Sequence, residues 1–565
     1  MSYSKKKPGK NYDHLRVLII DRHGKAHSTL RIILSTLGIV AVHNAATTAE
    51  VMRQVKTYLF DAVFADYRLE DGYDAQQLLE ELRQKHLVSL STVYMIVTAE
   101  RAYHNVVSVA ELAPDDYLIK PFTADQLQER LDKALCKKTF FEEVFDHLDR
   151  SALADAVLAC DKLLEREENP YLHDTLRFKG DALNTLRRFD EAYAVFQQVL
   201  DQADIPWASM GLAVSLRGQG NLVEAEILAS SLVREYPEYL VAYDFLASLF
   251  EEQDRLGEAQ EILQKAALIS GNNALRQRVI GDLAVRNKDL ETAERAYGRV
   301  LERHRGSSLR TIDDYTNLIR VMLDHGRVER AQKITQDLRR DWRGNSQGEL
   351  ATLIMDCLRA YKEEEFTRAR QVLDNALALF DTIRRGTGNT RLSQRIEVDL
   401  AHACLMLGDD FKAEEILRGV VAENHENSDI IDRIQNVFAE TGKEEEGKAL
   451  FAKVDREIVE LNNRGVMAAR SGDLESAVEM LIEAAETIPN LQFLVNASKA
   501  IFTLLAHKGW DEEMSIRGMH YLERAQAKDI LSPKVISARE LYFQVARKYG
   551  IDAMQRGSLH EKIKR

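Results

Sequence analysis

The sequence predicts two architectures in tandem. A doubly wound α/β domain with a five-stranded parallel sheet occupies residues 14–137, and an all-α superhelical solenoid follows it. Three observations predict this order. Short apolar runs first alternate with amphipathic stretches, the signature of parallel strands covered by helices. Beyond about residue 137 the strand pattern ends and helical periodicity continues to the C-terminus. Within that helical part, small residues recur at intervals close to 34 residues. A chain of 565 residues is also too long for one hydrophobic core, so several domains or an array are expected.

In the first part, "LRVLII", "DAVFAD", "VYMIVTA" and "DYLIK" read as buried parallel strands, and the weaker "IVAVHNA" completes five. Helical patterns such as "STLRIILSTLG" and "AQQLLEELRQKH" lie between them. In such a sheet the site forms at the carboxyl ends of the strands. Asp21, Asp66, Thr98 and Lys120 each stand at or just past such an end, so four polar residues from separate segments are expected on one edge.

In the second part, Ala225, Ala259 and Ala293 are 34 residues apart. Twelve residues before each stands Ala213, Ala247 or Gly281, and seven after each stands Leu232, Ala266 or Val300. The same triplet recurs as Gly180, Ala192, Val199; as Cys357, Ala369, Ala376; as Ala401, Ala413, Val420; and as Gly465, Ala477, Ala484. Small residues there let antiparallel helices approach closely, and turn signals such as "RGQGN" and "RSGD" separate the helices of a pair. The intervals stretch near Ala331 and Ala369, an insertion "IRRGTGNTR" interrupts residues 383–391, and the match is poor from Ile430 to Val454. This spacing resembles tetratricopeptide repeats over roughly residues 150–500, and the resemblance implies a concave surface for a protein partner. The expected organisation is a disordered basic tail at 1–13, the α/β domain at 14–137, the array at 138–495 and a C-terminal helical cap at 496–565.

The first part resembles the receiver domain of bacterial response regulators, with the CheY-like, flavodoxin-like strand order. "VFADYRLEDG" matches the loop of the phosphoacceptor aspartate, "VTAE" the switch threonine, and "DYLIKPF" the lysine with its following proline. The resemblance implies Asp66 as phosphoacceptor, Thr98 and Lys120 as the residues that receive the phosphoryl oxygens, and Tyr117 as the aromatic switch. It implies Mg2+ as cofactor, held by Asp21, Asp66 and the backbone carbonyl of Arg68. It also implies a sensor histidine kinase or phosphotransfer protein as the donor. The chemistry suits these residue types: a carboxylate can attack phosphorus, and an ammonium, a hydroxyl and a metal can hold the three oxygens. Arg22 departs from the pattern, because the family places a second acid there that binds magnesium directly. The reversed charge weakens the metal site, and one expectation is that Arg22 pairs with Asp66 and holds the domain in one state. "ELAPDDY" is a second departure, with Ala113 and Pro114 altering a turn.

Other features read as structural. His23 is expected to be a loop histidine facing solvent. "RRGTGNTR" lacks the strand and the GK[ST] ending of a phosphate-binding loop. Trp207, Tyr243, Phe245, Phe250 and Tyr297 read as core residues of the array. Cys136, Cys160, Cys357 and Cys404 form no CxxC pair and read as buried thiols of a reducing compartment. The net charge of −14 argues against a nucleic-acid partner. No apolar run approaches a membrane span and no signal peptide opens the chain, so a cytoplasmic location is expected.

Together these readings predict a signalling adaptor without DNA-binding output and without an enzymatic site in the array. The alternative is a phosphorylation-independent scaffold with the receiver as a fixed docking module; a phosphate sink is a further possibility. The segment 123–169 contains no glycine and no proline, and it carries Phe140, Phe141 and Phe145. Those rings are expected to pack on the first repeats and join the two parts rigidly.

Overall fold

The computed structural model describes residues 12–22, 24–69, 74–85, 87–98, 114–270, 273–303, 310–385, 392–425, 427–530 and 532–551. The basic tail up to residue 11, His23, Ala113 and most of the 383–391 insertion fall outside them. Two compact units are present: Met1–Asn287 with Arg299–Arg310, and Lys288–Gly298 with Thr311–Arg565.

The first unit begins with β1 (Arg16–Ile20), α1 (Gly24–Thr36), β2 (Ala41–Ala45), α2 (Thr48–Thr57), β3 (Ala62–Asp66), α3 (Ala75–Gln84), β4 (Val93–Thr98), β5 (Asp116–Ile119) and α4 (Ala124–Phe140). The strands are parallel, in the order β2-β1-β3-β4-β5. Alternation along each strand divides the core into two layers. Leu18, Ile20, Val63, Tyr94 and Ile96 pack with Val51 of α2 and with Leu78 and Leu82 of α3. Val17, Ile19, Phe64, Met95 and Val97 pack on the other face with Leu34 of α1 and with Leu127 and Leu131 of α4. Apolar side chains on both faces explain why the strands read as continuous hydrophobic runs.

Thr123 opens α4 with a capping box to Gln126. One residue, Phe141, separates α4 from α5 (Glu142–Asp149), and α6 (Leu153–Leu164) follows. Phe141 is fully buried and Phe145 nearly so, in a cluster with Ala159, Cys160 and Leu163. The Phe141 ring lies 5.0 Å from that of Phe178 and 5.7 Å from that of Phe145. The phenylalanines of the junction therefore belong to the packing of the first array helices, as their helical spacing predicts.

Helix pairs then continue to residue 548. The pairs between residues 172 and 269 use helices of 12 to 14 residues, which gives the regular 34-residue spacing. Phe196 shows what the small residues are for: a Cβ on Gly180 would meet its ring at 2.4 Å, and one on Gly211 at 2.3 Å. The ring occupies space that two methyl groups would need. Within the second unit the helices Ser346–Lys362 and Phe366–Arg385 have 17 and 20 residues, which stretches the interval there. The poor match after Ile430 has a similar cause, a single 27-residue helix at Glu444–Arg470. Residue 495, placed at the array–cap boundary, falls inside the helix Leu491–Lys508.

Phe141→Ala should remove a fully buried ring and its aromatic neighbours' contacts. The expected cost is about 3–5 kcal/mol, read as a lower urea midpoint for the full chain by circular dichroism. An unchanged midpoint would show that the junction does not depend on this ring.

Candidate functional site

Parallel register brings the expected residues to one edge. Ile20 pairs with Ala65, Asp66 with Val97, and Thr98 with Ile119. Asp21, Asp66, Thr98 and Lys120 therefore stand level at the carboxyl ends of four strands' worth of buried backbone. The apolar runs hold those strands inside, and the first polar residue of each run emerges at the edge.

The Lys120 ammonium joins two of them. Its Nζ lies 2.5 Å from Asp66 Oδ2 and 3.3 Å from Asp21 Oδ2. Asp66 Oδ1 also accepts the Arg68 backbone N–H at 3.1 Å. The Lys120 backbone N–H donates to the Thr98 carbonyl at 2.7 Å, which fixes the lysine against β4. Burial alone would lower the Lys120 pKa, but its hydrogen bond and charge attraction to Asp66, with Asp21 behind, raise it above its ordinary value. The ammonium stays charged. Asp21 and Thr98 are buried at 4% exposure each.

Tyr117 is packed inward at 7% exposure, in the core layer that holds Tyr94, Leu78 and Leu79. Burial, reinforced by the Asp74 carboxylate, raises its phenol pKa, so it is neutral. The loop after β3 is closed by an antiparallel bridge between Arg68 and Asp74.

The donor set bears on magnesium. Two carboxylates, Asp21 and Asp66, reach one ammonium, and the residue after Asp21 is Arg22, where the resemblance to receiver domains leads one to expect a third acid. Among the described residues no group of three or more His, Cys, Asp or Glu side chains is placed to hold a metal. Magnesium binds through one or two carboxylates when waters and phosphate oxygens complete its shell. The pair fits such a site in its reduced form.

With this geometry in place the kinship can be read. The response regulator receiver domain family matches residues 17–132, and a tetratricopeptide repeat family matches residues 174–239. The chain is a receiver domain fused to tetratricopeptide repeats. Its receiver is 28% identical over 120 residues to chemotaxis protein CheY-3 of Vibrio cholerae, covering 21% of this chain and 91% of CheY-3. It is 32% identical over 123 residues to the transcriptional activator protein IrlR of Burkholderia pseudomallei, covering 21% of this chain and 50% of IrlR. A tetratricopeptide repeat protein from Parabacteroides merdae aligns with 53% of this chain and 98% of its own, at 13% identity and a TM-score of 0.31. No helix among the described residues is long and apolar enough to cross a membrane.

Sequence reasoning passed over a second set of charged residues at the opposite end of the receiver's strands. Lys138 is 8% exposed, and its Nζ lies 2.7 Å from Asp115 Oδ1. A signal for it was present: residues 127, 131, 134, 138 and 141 form one helical stripe, and Lys138 is the only charged residue in it.

Arg22→Asp should strengthen magnesium binding, because a third carboxylate then faces the ion. A gain of about tenfold, or about 1.4 kcal/mol, is expected by titration calorimetry of the full chain. Equal affinities would show that Arg22 does not weaken the site.

Proposed function

We propose that this protein is a response-regulator-type signalling adaptor in which the phosphorylation state of Asp66 governs how the repeat array binds a protein partner. The single observation that carries the reading is the Lys120 ammonium, 2.5 Å from Asp66 and 3.3 Å from Asp21, at the edge where Thr98 also ends its strand. The donor is a phosphohistidine on a sensor kinase or phosphotransfer protein. An Asp66 carboxylate oxygen attacks phosphorus, a P–O bond forms, and the P–N bond breaks as the imidazole takes a proton. Lys120 then shifts its ammonium from carboxylate to phosphoryl oxygen, and the Thr98 hydroxyl donates to another. A magnesium ion held by Asp21, Asp66 and the Arg68 carbonyl would neutralise phosphoryl charge when bound. The protein's own chemistry is limited to gaining and losing this group, and its output is binding rather than turnover.

Two observations favour a second reading. Tyr117 already occupies the inward position, and Arg22 has replaced an acid, as suits a receiver used as a fixed docking module.

Incubation of the full chain with acetyl phosphate and magnesium, followed by intact mass measurement, separates the two. The adaptor reading expects a phosphoryl adduct on the wild type and none on Asp66→Asn. No adduct on the wild type would favour the fixed module, and an adduct on the variant would place the chemistry at another residue.

A further inference from the structure

β4 and β5 cross the receiver from end to end. At their carboxyl ends stand Thr98 and Lys120. At their amino ends they meet the helix that opens the array. Ser89 and Leu90 precede β4: the Ser89 hydroxyl donates to Asp149 Oδ2 at 2.5 Å, and the Leu90 N–H donates to the same carboxylate at 3.1 and 3.2 Å. Asp149 is the last residue of α5. Asp115 precedes β5. Its Oδ1 takes the Lys138 ammonium at 2.7 Å, and its Oδ2 accepts the Tyr94 N–H of β4 at 2.8 Å. Lys138, near the end of α4, also donates to the Leu90 carbonyl at 2.7 Å.

The half-buried Arg83 of α3 is also near this seam: burial lowers its pKa, and the charges of Asp115 and Asp149 oppose that shift. Leu90 packs against the aromatic cluster of Phe141 and Phe145. The two strands that bear the switch residues at one end are therefore tied to α5 at the other.

We propose that this seam couples the phosphorylation edge to the array. A displacement of β4 or β5 set off at Thr98 or Lys120 moves Leu90 and Asp115, and these carry α5 with them. A strand of six residues spans about 20 Å, and β4 is held along its length between β3 and β5. It transmits a shift along its axis instead of absorbing it. The biological trigger rests on the proposed chemistry at Asp66, but the coupling is a property of the folded chain and needs no phosphoryl group to be seen. Coupling of this kind is reciprocal, so each end must respond to a change at the other.

Hydrogen exchange on the full chain, read by mass spectrometry, tests both directions. Asp149→Asn keeps an oxygen for the Leu90 N–H but removes the charge, and Ser89→Ala, which removes the hydroxyl that donates to Asp149 and accepts the Ser91 N–H, serves in case the first variant folds poorly. Each is expected to speed exchange at the Lys120 amide, which is bonded to Thr98 at the far edge, by about threefold or more. From the other end, Asp66→Asn is expected to change exchange at the Leu90 amide. Changes confined to 88–91 and 142–150 for the seam variants, with Leu90 indifferent to Asp66→Asn, would overturn the coupling. Acetyl phosphate that leaves the wild type unmodified while both long-range effects appear would remove the phosphorylation reading and leave the seam standing.

Discussion

One ammonium holds the functional edge together. Two carboxylates at adjacent strand ends repel each other, and the repulsion grows as water is excluded. Lys120 offsets it by reaching both, at 2.5 Å and 3.3 Å. Asp21 follows β1, Asp66 ends β3, and Lys120 follows β5, so the ion pair draws three strand ends to one point. The sheet itself sets Thr98 beside it, because the Lys120 backbone N–H is bonded to the Thr98 carbonyl. The character of Arg22 follows from the ion pair. With one lysine against two acids the edge carries one residual negative charge, and a neighbouring arginine can cancel it. A receiver with a third acid would have a stronger field for a divalent ion.

Most of the fold was legible because it rests on local pattern. Four of the five strand runs, β1, β3, β4 and β5, were apolar and led into the polar residues that build the site, whereas β2 carries His43 and Asn44 and read more weakly. The repeat spacing was legible wherever helices kept 12 to 14 residues, and it blurred where one helix, Glu444–Arg470, runs to 27 residues. The role of Gly180 was only half visible. Small residues signal close approach, but not that a phenylalanine ring from residue 196 enters the gap.

Interactions between residues far apart in sequence were not legible. In the second unit, Arg320 and Arg433 both bond Asp399 Oδ1, at 2.9 and 2.8 Å, and Arg433 also reaches Asn317 across 116 residues. Asp399 is 1% exposed, and the attraction of Arg433 and Arg320 overcomes its burial to lower its pKa. On a helical wheel these are ordinary charged positions. Only the stacking of the helices Ile312–Asp324, Gln394–Met406 and Ser428–Glu440 brings them together. Asp115 and Asp149 were equally silent, since a loop acid and a helix-terminal acid carry no periodicity.

The seam combines two kinds of force, and the combination has a consequence. The rings of Phe141, Phe145 and Phe178 supply burial, which depends on area and tolerates many orientations. Ion pairs and hydrogen bonds do not tolerate them, because a buried charge that loses its partner costs several kcal/mol. Lys138 must meet both Asp115 and the Leu90 carbonyl, and Asp149 must meet both Ser89 and the Leu90 N–H. Burial pulls the Lys138 ammonium below its ordinary pKa even with Asp115 beside it, a sign of how little water reaches the site. The aromatic cluster keeps α5 in place, and the charges restrict it to one angle and one register. A purely apolar joint could slide while staying buried. This one cannot move without either breaking a charged contact or taking the starts of β4 and β5 along with it.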